Sequence, residues 1–253
     1  MGILRWFAVL LVGTCSAQTP EFYNSVSRLT WVVENIDKVR PSLERLGLAD
    51  IQESPNIQLV GTYRGKPVTF YAWQITGRLG NVTVDVIQPG EGQANAYTAF
   101  LSQHGDGILS LVHEVPNALA LQSEIGRIKG KGCQVLQQVS MPRGPVFTYF
   151  DTEPEGKFVL GLVNGVHSRT EGAASHFGMV VWDAAAVSAY WQKLGLPRFT
   201  KSPYEWIAPL PSPANIYADF LNRHNREGIQ HFGLATQTGV YVVGGVTVES
   251  EHR

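Results

Sequence analysis

The chain has 253 residues, 44% of them apolar, and its 20 Lys+Arg against 21 Asp+Glu leave a net charge of −1. That length supports one or two ordinary cores. With no basic surplus and no block of like charge, the composition argues against a nucleic-acid partner.

The N-terminus is different in kind from the rest. Met1 to Arg5 carries one positive charge, Trp6 to Val12 is apolar, and Cys15-Ser-Ala17 is a small-residue end, the pattern of a secretory signal over residues 1–17 cut after Ala17. Its apolar core is shorter than the about 20 residues a spanning helix needs. The mature protein is therefore expected to be exported, periplasmic or secreted, with no membrane segment left after cleavage. Val12-Gly-Thr-Cys15 offers a lipid-attachment box as the rival, but Thr14 stands where a small residue is wanted, so release fits better than a lipid anchor. After cleavage Cys133 is the remaining thiol. No internal disulfide is then available, and Cys133 reads as a small buried side chain between a helix and a strand.

Ser27 to Ile36 alternates as a strand, with Leu29, Trp31 and Val33 on one face and Arg28, Thr30 and Val32 on the other. Asp37 to Leu46 has Val39, Leu43 and Leu46 at helical spacing, stopped by Gly47. Strands are expected at Ile57 to Tyr63 and Pro67 to Ile75, around the hairpin signal Arg64-Gly65-Lys66, and at Val82 to Ile87, ending at Pro89. Asn95 to His104, with Tyr97, Phe100 and Leu101 on one stripe, is a short helix whose stripe reads as core packing. The order then repeats: strand Ile108 to Val115, helix Leu119 to Ile128, and strands Gln134 to Val139, Val146 to Phe150 and Phe158 to Val163. Residues 22–165 thus hold two β-α-β-β-β modules. Residues 166–174, rich in Gly, Ser and Ala, read as a linker. Residues 175–253 open with a strand at Ser175 to Val181 and a helix at Ala184 to Leu194, and Val240 to Val248 is a last strand.

The chain also repeats itself at long range. Asn95-Ala-Tyr-Thr-Ala-Phe-Leu-Ser-Gln-His104 returns 120 positions later as Asn215-Ile-Tyr-Ala-Asp-Phe-Leu-Asn-Arg-His224, each followed by an acidic residue, Gly and Ile. Val32-Val33 and Leu46-Gly47-Leu48 return 148 positions later as Val180-Val181 and Leu194-Gly195-Leu196. Two related units are implied. The unequal offsets show that the second unit has lost the stretch that carries two middle strands in the first. Only 24 residues follow Ile229, so its end is shortened as well.

Paired β-α-β-β-β modules, with Asp85-Val-Ile-Gln-Pro89 leading into Phe100-Leu-x-x-His-Gly-Asp-Gly-Ile108, resemble the vicinal oxygen chelate superfamily of glyoxalases, bleomycin-resistance proteins, extradiol dioxygenases and methylmalonyl-CoA epimerases, most closely the epimerase-like branch. The resemblance implies an α+β fold in which paired modules form a curved-sheet cup, with a truncated second copy at the C-terminus. It also implies a divalent metal, zinc, manganese, iron or nickel, held by His, Glu or Gln, His and Glu from the first and last strands of the modules. Such a set binds a borderline metal and leaves positions open for two vicinal oxygens.

In the first unit those positions carry Arg28, Asp85, Ser110 and Gly161, which points to a metal-free pocket in which Arg28, Asp85 and Ser110 touch a small ligand; the competing reading is that Arg28 and Asp85 simply pair. In the second unit the same positions carry His176, Glu205 and His231, a ligand-type set, with Glu249 or Glu251 available as the fourth. Two function classes stay open: a metal-dependent epimerase, lyase or dioxygenase, and a metal-free sequestering protein or decayed relative. A homodimer that completes the shortened cup is the partner the resemblance implies.

Overall fold

The computed structural model describes residues 19–80, 82–140, 144–164, 176–196, 204–207, 216–224, 227–234, 239–243 and 246–250. The signal-type segment, the expected linker and Glu251 lie outside the described residues.

The first unit comprises β1 (Arg28–Val32), α1 (Ile36–Arg45), β2 (Ala49–Tyr63), β3 (Lys66–Leu79), β4 (Val82–Gly92), α2 (Ala96–His104), β5 (Gly107–Val115), α3 (Ala118–Gly130), β6 (Val135–Ser140), β7 (Val146–Phe150), the short α4 (Glu153–Gly156) and β8 (Val159–Asn164). The second comprises β9 (Phe177–Val180), α5 (Ala184–Lys193), β10 (Tyr204–Ile207), α6 (Ile216–His224), β11 (Gly228–Leu234), β12 (Gly239–Val243) and β13 (Val246–Ser250). Asx residues start four of the helices: the side chains of Asn35, Asn95, Asn117 and Asp183 each accept a bond from a backbone N–H in the first turn of α1, α2, α3 and α5. At Asn95 the bond is reciprocated by Thr98, a complete capping box.

The eight strands of the first unit close into a barrel in the order β1-β4-β3-β2-β6-β7-β8-β5. The modules meet twice, at β1 with β5 (Thr30 opposite Ser110) and at β2 with β6 (Gly61 opposite Val139). The second pairing shuts the cup. Three strands run longer than the alternation predicts, since β2 begins at Ala49, β3 continues to Leu79 and β4 to Gly92. The expected single strand from Val240 to Val248 is two strands, β12 and β13, paired antiparallel.

The second unit is a five-stranded sheet in the order β10-β9-β11-β13-β12. Strand by strand this is the arc β4-β1-β5-β8-β7 of the barrel, with the same parallel and antiparallel neighbours. Counterparts of β2, β3 and β6 are missing among the described residues. The described strands of the second unit are thus the arc on which the four expected ligand positions fall.

The faces of β1 sort as the alternation predicts. Val32 joins the barrel's interior cluster with Phe70, Ile87, Tyr97, Val112 and Tyr149. Leu29, Trp31 and Val33 face outward into a larger cluster that includes α1, α3, α5 and the apolar face of the second sheet, with Phe177, Met179, Phe232, Val246 and Val248. The two units therefore share one core. Trp31 meets Phe232 edge-on at 6.1 Å, Phe158 stacks on Trp191 at 4.6 Å, and the Trp191 indole N–H donates to the Gly156 carbonyl at 3.1 Å. A polar chain follows the same seam: Tyr23 OH donates to Glu124, which binds Arg127, whose guanidinium donates to the Leu194 carbonyl.

Candidate functional site

Inside the barrel, Arg28 and Asp85 face each other. Arg28 Nη1 lies 2.7 and 2.6 Å from the two carboxylate oxygens, and Asp85 accepts further bonds from Gln74 Nε2 at 3.0 Å and Thr76 Oγ1 at 2.6 Å. Burial pulls the Arg28 pKa down, but the Asp85 charge and hydrogen bond outweigh it and the net shift is upward. Beside the pair, Tyr149 OH bonds Thr30 Oγ1 at 3.1 Å and Tyr97 OH at 3.2 Å. Ser110 is fully buried, donates to the Leu111 carbonyl, and sits against Gly161, where a Cβ would come within 2.6 Å of the serine oxygen. The space among Gln74, Asp85, Tyr97 and Tyr149 is about 10 Å³, room for one water.

The second sheet brings the other expected residues together. Gly178 on β9 is opposite Glu205 on β10 and opposite His231 on β11, and His231 is opposite Thr247 on β13. Glu205, Gly178, His231 and Thr247 thus form one rung across four strands. His176 lies two residues before Gly178, so it shares that face of the strand. Its ring meets the His231 ring edge-on with centroids 5.2 Å apart. Gly178 makes this arrangement possible, because a Cβ there would overlap the His231 ring. In the first unit the same rung holds Thr30 opposite Ser110. Removing one side chain from β9 makes room for a larger one from β11.

Glu249 takes the rung of Gly233, two residues beyond His231, and Gly161 takes the matching rung opposite Val112 in the first unit. The register thereby favours Glu249 for the fourth position. Among the described residues no group of three or more His, Cys, Asp or Glu side chains gathers as a metal cluster. The two imidazoles meet directly, and strand register puts Glu205 on the rung of His231 and Glu249 on the rung of Gly233.

Three further residues complete the face. Tyr217, on α6, lies with its ring 5.8 Å from that of His231, and α6 packs by Phe220 and Leu221 on Val180. Tyr217 is the counterpart of Tyr97, which enters the first barrel from α2, so the repeat itself carried the signal for it. Gln230 Oε1 lies 2.6 Å from His231 Nδ1, and Gln230 Nε2 donates to Thr247 Oγ1 at 2.7 Å. No sequence pattern announced Gln230 or Thr247.

A separate cleft of about 590 Å³ opens beside α5, walled by Trp182, Val187, Tyr190 and Lys193. Lys157 and Glu227, paired at 2.8 Å, form its far side.

No protein-family model matches the chain, and no curated protein does. Among solved structures, a mutant of 4-hydroxymandelate synthase from Streptomyces coelicolor superposes with a TM-score of 0.54 at 14% identity, over 85% of this chain and 72% of that one. Methylmalonyl-CoA epimerase from Mycobacterium tuberculosis superposes with a TM-score of 0.42 at 13% identity, over 56% of this chain and 89% of that one. At such identities the likeness is one of fold, and the fold is the paired-module architecture that the sequence resemblance implied.

Proposed function

We propose that this chain, whose fold is that of the vicinal oxygen chelate superfamily, is an exported protein that holds a divalent metal on the concave arc of its second unit. His176, Glu205, His231 and Glu249 are the ligands in this reading, and a small molecule with two adjacent oxygens is the substrate of an isomerase, lyase or dioxygenase reaction. The observation that carries it is the pair of imidazoles meeting at 5.2 Å over a glycine that a Cβ would block. Two histidines on neighbouring strands with an acidic residue on the same rung form the mixed nitrogen and oxygen set that zinc, manganese, iron and nickel accept.

A bound ion would supply Lewis-acid polarisation of the substrate oxygens. The chain's own part is to present the two imidazoles, to set the Tyr217 ring beside His231, and to cover one side of the face with α6. The first unit, closed around its Arg28–Asp85 pair, braces the arc from behind through the shared core. The second sheet ends in β10 and β12, whose outer edges have no partner strand among the described residues. A second copy covering those edges would complete the wall that the shortened unit lacks.

Calorimetric titration of the purified mature protein with zinc, manganese, iron and nickel tests the reading, and an N-terminus at Gln18 checks the export. Binding by the parent and its loss in His176→Ala and His231→Ala is the expected result. Equal binding by all three, or none at millimolar metal, would sink the metal site and leave metal-free small-molecule binding, with the cleft beside α5 as its place.

A further inference from the structure

We propose that Gln230 is a positioning residue for His231, fixing the tautomer in which Nδ1 carries the proton and Nε2 is the lone-pair nitrogen. Its purpose rests on the metal-site reading, but its geometry does not. In a regular strand Gln230 and His231 would point to opposite faces. Here the pairing of β11 with β9 slips: Ile229 is opposite Met179, and His231 is opposite Gly178, the next residue on β9. The extra residue in this bulge is Gln230, and the bulge lets it reach its neighbour's ring.

The amide oxygen of Gln230, 2.6 Å from Nδ1, can only accept. With the amide in this orientation, its oxygen toward Nδ1 and its nitrogen toward Thr247, Nδ1 is the donor and the ring's Nε2 carries the lone pair. With the amide turned about, the Thr247 hydroxyl would donate and the ring roles would reverse, which is the difference the tautomer experiment reads. The amide is held at its far end by the bond from Nε2 to Thr247 Oγ1 at 2.7 Å. All three side chains are buried, Gln230 at 6%, His231 at 1% and Thr247 at 8% exposure, where a polar group needs its partner to be tolerated.

The first unit shows that the fold does not require a polar residue there. The same slip occurs between β1 and β5, where Trp31 is opposite Ile108 and Thr30 opposite Ser110. Leu109 fills that bulge and packs into the barrel's apolar cluster. One backbone device thus carries a leucine where the partner is a serine and a glutamine where the partner is a histidine. Second-sphere partners of this kind orient a ligating imidazole and raise its basicity.

The test uses the full mature chain, metal-free and at alkaline pH, with its histidines labelled for ¹H–¹⁵N correlation spectroscopy. His231 is expected as the Nδ1–H tautomer in the parent and in Gln230→Glu, whose carboxylate can only accept, and as a mixture or the Nε2–H form in Gln230→Met. Zinc affinity read by calorimetry should fall about 10- to 100-fold in Gln230→Met and recover in Gln230→Glu. An Nε2–H ring in the parent, or an unchanged tautomer in Gln230→Met, overturns the proposal. If zinc binds none of the three while the tautomers behave as expected, the metal reading falls and the positioning role stands. Should Gln230→Met fail to fold, the tautomers of the parent and Gln230→Glu decide.

Discussion

His113 shows what burial does to a titratable side chain inside the sheet. Its ring is 1% exposed and edge-on to Tyr23 at 4.9 Å, and Nδ1 bonds the Ser25 carbonyl at 2.8 Å. Burial lowers its pKa to about 4, against the weaker upward pull of the Ser25 and Phe22 carbonyls. Arg28 is buried too, but it faces Asp85 and its pKa rises. For His113 the consequence is a pH-dependent stability. The folded ring stays neutral while the unfolded one, with the ordinary value of 6.5, takes a proton, so the unfolded state binds more protons between those two values and stability falls as pH drops through them. The loss should be about 3 kcal/mol between pH 6.5 and pH 4. Denaturant unfolding of the parent and of His113→Gln across that window measures it. A variant with the parent's slope would show that His113 is not the source.

At the scale of elements, the same rung is built in two ways, and one substitution separates them. The β9 backbone at Gly178 lies directly under the His231 ring, so Gly178→Ala must push that ring off the rung. Overpacking of this kind costs about 1–3 kcal/mol, and zinc titration of the variant should show weakened binding together with a lowered melting temperature. Parent-like values in both would mean that the ring has room elsewhere. His176, Glu205 and His231 were legible in the sequence because the repeat offsets carry a position in one unit to its counterpart in the other. Gln230 was not, because a bulge is a property of pairing and leaves no mark on periodicity. The start of β2 was hidden for a related reason: every residue from Ala49 to Glu53 is exposed, so the brief alternation of Ala49 and Ile51 marks no buried face. It is held by its register with β3 and by Glu53, which binds Arg40 at 2.8 Å and accepts from the Trp73 indole at 2.8 Å. The division of the last strand had a local signal in Gly244-Gly245, a pair common in hairpin loops.

For the whole molecule the question is how far the first unit stands alone. Residues 22–165 keep all eight barrel strands and the interior cluster around Phe70, Tyr97 and Tyr149, so every ladder bond of the barrel survives truncation. The outward face is another matter. Without the second unit, Trp31 loses Phe232, Phe158 loses the stacked Trp191, and Arg127 loses the Leu194 carbonyl. Each large apolar side chain returned to water costs about 1.5–3 kcal/mol, and in a domain of this size 1 kcal/mol moves the melting point by roughly 2–4 °C. The fragment is expected to unfold cooperatively, but on the order of 10 °C below the full chain. It should also bind a hydrophobic dye that the full chain does not, because a bared apolar face of this kind is sticky. Scanning calorimetry of both proteins, with dye fluorescence on the same samples, gives the answer. A melting point equal to that of the full chain would mean that the seam adds no stability. A broad, non-cooperative melt would mean that the barrel needs the second unit at its back, and that the two were never separable domains.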